Sequence, residues 1–339
     1  MVVDAVLAND EWELVLFRFR YLSPVVNKFY IAESSKTFSG LEKPLFFTEK
    51  IAELHALGYD VEVFDLDIPD SVLSSPDRWT VETYVRNTFL EKVCSRHPND
   101  LVLFSDVDEI PSREQVVALR EQGSSLQIMS IPTQVCLRKA NWIEYQPEQW
   151  WGKWGNGLLG KHWVPRLRRL QHPHVEGEAG AHLSYVGMDA SAVRGKYQAF
   201  SHGELDRDDL ASDAFLSFTD SFHISHLGRA LEPGAGLLTV AHEDELTEVQ
   251  RAVQEMKPEW CDFSPVSEPR HRRLVASWLV FSIVRGKTGI NLDDARAPVY
   301  SLRWLRHAVA YALVWSAWKL LSVTGLLRLL RPKTSNAPA

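Results

Sequence analysis

A short apolar run that ends abruptly in acids constrains the fold of this chain more than any other feature. Leu101 to Phe104 are apolar, as is typical of a strand that is buried on both faces. The run leads directly into Asp106, Asp108 and Glu109. Ligands of open α/β sheets bind beyond the carboxyl ends of the strands, so we expect these acids to lie at a site. Carboxylates that are withdrawn from water need a positive partner, and a divalent cation holding a diphosphate would supply one.

The Asp-Val-Asp spacing allows both carboxylates to face one ligand. Residues i and i+2 of an extended segment lie on the same side of the chain. We therefore predict that Asp106 and Asp108 bind a metal ion and that Asp106 also contacts a nucleotide. A solvated acidic turn and a phosphatase-type nucleophile are the alternatives. An EF-hand loop is disfavoured, because its glycine and its closing glutamate are missing at the required offsets.

Strands and helices alternate along the N-terminal part of the chain, which predicts an α/β fold with a mostly parallel central sheet flanked by helices. Residues 12–18 read as either a helix or a strand. The clear predicted strands are 28–32, 61–64, 101–104 and 126–131, and the predicted helices are 48–58, 79–97, 113–122, 245–256 and 268–285. Between 141 and 180 the periodicity is lost, which is typical of a binding loop or lid. We place all of these elements in one domain over residues 1–290.

Charge and cysteine content limit the class of protein. The net charge of -7 over 339 residues disfavours a general nucleic-acid binder, so we expect no nucleic-acid partner. The three cysteines are widely spaced and form neither a disulfide framework nor a zinc pattern. The first residues lack the basic region and long apolar core of a signal peptide. These features together predict a cytoplasmic protein with reduced thiols.

The C-terminal segment 291–331 is predicted to be an apolar or amphipathic helical extension. Its longest uncharged stretch, Ala308 to Trp318, is too short to span a bilayer. Tryptophans and basic residues favour a helix that lies at the inner face of a membrane, and packing on the protein core is the alternative. Residues 332–339 are predicted to be a disordered tail.

Several motifs occur in an order that resembles glycosyltransferase family 17, over roughly residues 3–230. Ala181 stands where that family usually has a tryptophan. The motifs are Asn9-Asp10-Glu11-Trp12, Tyr30-Ile31-Ala32-Glu33-Ser34, the helix carrying Trp79, Glu82 and Arg86, Ser105 to Pro111, Gly180 to Tyr185, and Lys196 with Phe200-Ser201-His202-Gly203-Glu204.

This resemblance implies a GT-A-like fold of Rossmann type and an inverting glycosyltransferase. The donor would be a nucleotide sugar such as UDP-N-acetylglucosamine, the cofactor Mn²⁺ or Mg²⁺, and the acceptor a glycan or glycoconjugate. Two alternatives stay open: a metal-dependent phosphoesterase or nucleotidyltransferase, and a non-catalytic carbohydrate-binding protein on a degenerate transferase fold.

Inversion by a single displacement requires a side chain that accepts the proton of the acceptor hydroxyl. Glu204, Glu109 and His202 are the candidates, and Glu204 is favoured. His202 is also a candidate metal ligand, and His182 is a candidate ligand of the donor phosphates. A purely structural histidine is the alternative for both.

Two further side chains are predicted to contact the donor. Glu33 ends a strand at the same sheet edge as Asp106, where it would bind the base or ribose; a helix cap is the alternative. Arg86 lies four residues after Glu82 on a predicted helix. It would reach the diphosphate, or it would simply form a helical salt bridge with Glu82.

Overall fold

The chain divides into two compact units in the computed structural model, Met1–Asp213 with Leu238–Pro265, and Ala214–Leu237 with Val266–Ala339. The predicted helix at 268–285, the segment 291–331 and the tail 332–339 lie outside the described residues, apart from Arg272. The structure describes residues 1–75, 77–121, 129–144, 148–151, 175–200, 206, 210–227, 237–266 and 272.

A four-stranded parallel sheet forms the centre of the first unit, in the order β3-β2-β1-β4. The three predicted strands at 28–32, 61–64 and 101–104 are confirmed as β2, β3 and β4, and the central strand β1 was not predicted. Because all four strands are parallel, their carboxyl ends meet at one edge. Their bounds are β1 Val2–Leu7, β2 Lys28–Glu33, β3 Val61–Asp65 and β4 Leu101–Asp106.

Helices cover both faces of this sheet, which confirms the predicted α/β class. Alternate residues of a strand point to opposite faces. On β4, Leu101 and Leu103 belong to the buried cluster that includes the first two helices, whereas Val102 and Phe104 belong to the cluster that includes the fourth. The helices are α1 Trp12–Leu22, α2 Phe46–Ala56, the short α3 Asp70–Leu73 and α4 Arg78–Arg96.

A second, mixed sheet follows in the order β10-β7-β6-β9-β5, with β8 paired to β6. The strand predicted at 126–131 overlaps the start of β6, and its first residues lie outside the described ranges. The single central sheet that we expected is therefore two hydrogen-bonded sheets in the described part of the chain. The strands are β5 Glu109–Ile110, β6 Ser130–Leu137, β7 Trp142–Glu144, β8 Glu148–Trp151, β9 Gly180–Ser184 and β10 Leu238–Val240.

Of the remaining helices, α5 and α8 begin and end close to the helices predicted at 113–122 and 245–256, whereas α6 and α7 were not predicted. Thr247 and Gln250 form a capping box at the start of the helix predicted at 245–256. Within the described ranges, no helix combines the length and the apolar character needed to cross a membrane. These helices are α5 Arg113–Glu121, α6 Ala190–Ala199, α7 Asp213–Ser221 and α8 Glu248–Met256.

Close contact between β9 and β5 depends on Gly180. A Cβ atom at this position would lie 2.3 Å from the carbonyl oxygen of Ile110, a backbone atom that cannot rotate away. We expect Gly180→Ala to lower the free energy of unfolding by about 1–3 kcal/mol, measured by urea denaturation. Gly195→Ala is the matched control, because no atom lies within 4 Å of its Cβ position on α6. That control will gain about 0.5–1 kcal/mol, and equal stability of the two variants would contradict the packing argument.

Candidate active site at the edge of the parallel sheet

A buried arginine fixes the path of the acidic loop that follows β4. The guanidinium of Arg18 is fully buried and holds Asp4 through two hydrogen bonds, 2.8 Å from Nε to Oδ2 and 2.7 Å from Nη2 to Oδ1. Its Nη1 donates to the carbonyl oxygens of Asp106, Val107 and Glu109 at 3.1, 3.3 and 2.7 Å. Arg18 on α1 therefore joins the central strand to the loop, and it is committed to structure.

Asp106 is paired with a second arginine, Arg86 on α4. Both carboxylate oxygens are engaged, at 2.7 Å from Nη1 and 2.8 Å from Nη2. Arg86 also donates from Nε to Glu82 at 2.9 Å. Burial alone would lower the pKa of Arg86, but Asp106 and Glu82 outweigh it and raise that pKa above its usual range. The helical salt-bridge interpretation of Arg86 is confirmed, Arg86 also pairs with the acidic loop, and its contact with a diphosphate stays a prediction.

Asp108 is paired with a lysine and a histidine that come from the second half of the unit. Its Oδ2 lies 2.9 Å from Nζ of Lys196 on α6 and 3.6 Å from Nε2 of His182 on β9. Burial alone would raise the pKa of Asp108, but these two partners hold it well below its usual range. His182 is brought here because it pairs with Glu109 in the β5–β9 ladder. Lys196 belongs to a recognised motif, yet the sequence had assigned it no role.

Glu11 is a further acid of this cluster that the sequence prediction missed. It follows β1 and precedes α1, and its Oε2 accepts a hydrogen bond from the backbone N–H of Asn9 at 2.7 Å. Burial raises the pKa of Glu11, and the attraction of Lys196 offsets this only in part. Its place beyond β1 could have indicated a role, but that strand was itself not predicted.

Glu109 and Glu33 have backbone partners. The buried Glu109 accepts from the N–H of Asp106 at 2.8 Å through Oε2. Glu33 accepts from the N–H groups of Phe47 and Thr48 at 2.9 and 2.6 Å, so it caps the start of α2. The helix-cap interpretation of Glu33 is confirmed, and its contact with a donor base or ribose stays a prediction. The same is true of the proposed catalytic role of Glu109.

The fit of a metal ion rests on Asp108. Among the described residues, no three His, Cys, Asp or Glu side chains form a group that could hold a metal ion. Asp106 uses both of its oxygens on Arg86, whereas Oδ1 of Asp108 has no hydrogen bond or ion pair in the part of the chain that the structure describes. Cations such as Mg²⁺ often take only one or two protein carboxylates and complete their shell with water and substrate phosphates. Asp108 fits a cation that binds together with a diphosphate. His202 and Glu204 lie outside the described residues, and their roles stay predictions.

The position of these groups in the sheet agrees with a ligand site. From β1 the chain builds outward through β2 and β3 on one side and then places β4 on the other. The crevice at such a reversal, beyond the carboxyl ends of the strands, is where open α/β sheets bind ligands. Glu11 follows β1, Asp106 is the last residue of β4 and Asp108 follows that strand, so the acids flank this crevice.

Comparison with known proteins gives a consistent result. The family described as Glycosyltransferase family 17 matches residues 1–218. The β-1,4-mannosyl-glycoprotein 4-β-N-acetylglucosaminyltransferases of Homo sapiens and Rattus norvegicus are each 31% identical to this chain over 126 residues. The Mus musculus protein of the same name is 30% identical over the same length. In each case the match covers 35% of this chain and 23% of the relative.

Proposed function

This chain belongs to glycosyltransferase family 17, and we propose that it transfers a sugar from a nucleotide-sugar donor to a glycan or glycoconjugate acceptor. The relatives named above are N-acetylglucosaminyltransferases, so UDP-N-acetylglucosamine is the proposed donor. The observation that carries the proposal is the pairing of Asp106 with Arg86 and of Asp108 with Lys196 and His182 beyond β4. A diphosphate bound in the crevice beyond β1 and β4 would meet the cationic side chains of Lys196 and His182, and a metal ion bound with it would meet the carboxylate of Asp108.

The leaving diphosphate determines what these residues must do. Sugar transfer breaks the bond between the anomeric carbon and a phosphate oxygen, and negative charge develops on that oxygen. Lys196 and His182 are placed to donate hydrogen bonds to the departing phosphate, where preorganised donors have their largest effect. A divalent cation at Asp108 would supply Lewis-acid stabilisation of the same charge. Arg86 keeps Asp106 in one orientation beside this group.

We further propose an inverting displacement in which a carboxylate or imidazole accepts the proton of the acceptor hydroxyl. Glu204, Glu109 and His202 remain the predicted bases, and Glu11 joins them because it lies in the same electrostatic cluster as Lys196 and Asp108. Single turnover with an anomerically pure donor and NMR of the product would test the stereochemistry.

Metal-dependent donor binding provides the direct test of the proposed function. We expect calorimetry to detect binding of UDP-N-acetylglucosamine with Mn²⁺, and Asp108→Asn to weaken it by about 100-fold or more, since even indirect partners of a metal contribute 10–100-fold. Asp60→Asn is the control, because that side chain is 67% exposed and its nearest ion-pair partner is Lys28 at 3.6 Å. It should bind the donor normally.

Product analysis separates the three classes of function. Transfer of the sugar, or slow release of free sugar from the donor, supports the transferase. Cleavage of phosphate esters without sugar transfer would indicate a phosphoesterase. Binding of glycans with no affinity for any nucleotide sugar would indicate a carbohydrate-binding protein, and full donor binding by Asp108→Asn would remove the assigned role of that carboxylate.

A further inference from the structure

One half-buried lysine near the same edge has a buried ammonium group without a hydrogen-bond partner among the described residues. Lys43 lies in the loop between β2 and α2, where its backbone N–H donates to the carbonyl of Ser35 at 2.9 Å and where Lys36 and Glu42 form a β-bridge. The loop turns at Gly40, whose φ of 84° is in the left-handed region. This hairpin-like loop folds Lys43 back towards the sheet edge. Nζ of Lys43 is buried and has no hydrogen-bond partner in the described part of the chain.

An unpartnered buried ammonium is costly, so it calls for a physical explanation. Lysine side chains normally carry their charge to water along a flexible stem. No carboxylate of the described residues comes within 4.0 Å of this Nζ, although Glu33, Glu11, Asp10 and Asp65 act on it from farther away. Burial lowers the pKa of Lys43, and the four acids do not fully offset this. A buried polar group left unsatisfied in a native fold calls for an explanation, and a ligand that accepts its hydrogen bond would supply one.

The charge around Lys43 limits what it can bind. Four acids act electrostatically on this one ammonium, so an additional anion such as a phosphate would be repelled by the group as a whole. A neutral acceptor, such as the carbonyl oxygen of an amide or a nucleobase, would accept from Nζ without adding charge. The neighbouring carboxylates could then accept hydrogen bonds from N–H or O–H groups of the same ligand.

The position of Lys43 relative to the sheet indicates which part of a nucleotide-sugar donor it would contact. Glu33 and Asp65 end β2 and β3, on the side of β1 that lies away from β4 and from Asp108. A nucleotide whose diphosphate lies beside Asp108 and Lys196 would extend its nucleoside across β1 towards this side. The base would thus meet Lys43, and the phosphates would meet the cations beyond β4.

We propose that Lys43 recognises the base of the donor nucleotide by donating a hydrogen bond to an exocyclic carbonyl oxygen. This inference rests on the proposed function. An ammonium beside carboxylates matches a base edge on which a carbonyl is next to a ring N–H, as in uracil and guanine. Cytosine would present an amino group where uracil presents its O4 carbonyl, and two donors would then face each other. Lys43 would therefore favour UDP over CDP.

Binding of free nucleoside diphosphates tests this directly. We expect wild-type protein with Mn²⁺ to bind UDP about 10- to 100-fold more tightly than CDP, as measured by isothermal titration calorimetry. Lys43→Met should remove this preference by weakening UDP while leaving CDP within about threefold. Lys36→Met is the matched control from the same loop, because Lys36 forms an ion pair with the exposed Glu42. It should keep the preference for UDP.

Thermal unfolding provides a second readout that a purely structural lysine would not give. Removing an unpartnered buried charge should raise the Tm of the nucleotide-free protein by about 2 °C or more, because the apolar methionine side chain has no charge to withdraw from water. A lower Tm for Lys43→Met would overturn the argument from burial. An equal loss of UDP and CDP would point to a group that both nucleotides carry, such as the O2 carbonyl or a ribose hydroxyl. That result would overturn the assignment to the carbonyl that distinguishes uracil from cytosine, as would a preference for UDP that survives in the variant. Wild-type protein that binds no nucleotide at all would remove the proposed function together with this inference.

Discussion

Replacing Lys196 with methionine will reduce kcat for sugar transfer by about 100- to 1000-fold, the loss that follows removal of one preorganised donor to a developing anion. Lys196 is the closest cation to Asp108 in the described part of the chain, at 2.9 Å, and its side chain is only 10% exposed. The phosphate that leaves beside Asp108 would therefore lose its main hydrogen-bond donor. Steady-state kinetics with the nucleotide sugar and a glycan acceptor measure the effect, and KM for the nucleotide sugar should change less than kcat.

Two further variants show whether loss of the positive charge causes the lower kcat of Lys196→Met. Lys196→Arg keeps a cation at this position and should recover part of the lost rate. Lys50→Met is the control, because Lys50 forms a surface pair with Glu53 on α2. Its kinetics should match those of wild type, and an unchanged kcat in Lys196→Met would show that this lysine has no part in transfer.

The pH dependence of the free energy of unfolding provides a separate test of the pair formed by Asp108 and Lys196. In the wild type the pKa of Asp108 is below its usual value, so the pair stabilises the fold above about pH 4 and the effect is lost only as the pH falls further. Without Lys196, His182 is the remaining partner of Asp108 in the described part of the chain that opposes the effect of burial, and the pKa of Asp108 should rise. Lys196→Met should therefore lose stability relative to wild type as the pH rises from about 4 to 7. Parallel stability profiles for the two proteins would contradict this.

Replacing Arg18 with methionine will lower the free energy of unfolding by about 3–5 kcal/mol, because it leaves Asp4 buried without a counter-charge. Both side chains of this pair are 0% exposed. The carbonyl oxygens of Asp106, Val107 and Glu109 also lose the hydrogen bonds from Arg18, although that of Glu109 still accepts from Oγ of Ser105, so the acidic loop should become less ordered. Chemical denaturation measures the loss, and Arg20→Met, at an exposed position on the same helix, should change stability little.

A double variant separates the two roles of Arg18. Arg18→Met with Asp4→Leu removes both charges, and apolar replacement of a buried ion pair often restores stability. We expect much of the stability to return while binding of the nucleotide sugar stays impaired, because the loop carbonyls still lack the hydrogen bonds from Arg18. Recovery of both stability and binding of the nucleotide sugar would show that Arg18 serves only to neutralise Asp4. If Arg18→Met alone were as stable as wild type, the contacts of Arg18 with Asp4 and the loop would be unimportant for stability.

The central strand β1 shows why the hydrophobic periodicity of the sequence was not sufficient to predict every strand. β1 runs from Val2 to Leu7, but Asp4 interrupts the apolar residues and hides the pattern of a buried strand. The acid is tolerated there because Arg18, fourteen positions along the chain, turns back from α1 to pair with it. Strands without a buried charge, such as β4, were predicted with nearly correct bounds.

The sequence by itself determined the α/β class, the parallel strands β2, β3 and β4, and the acids that follow β4. These features are local, because apolar runs and turn residues act over a few neighbouring positions. Tertiary structure decided which cation meets which acid. Arg86 reaches Asp106 from α4. Lys196, in the last turn of α6, reaches Asp108 across 88 positions because β9 pairs with β5 and leads the chain back to the sheet edge. Charge attraction depends on distance in space, and strand order sets that distance where sequence spacing does not.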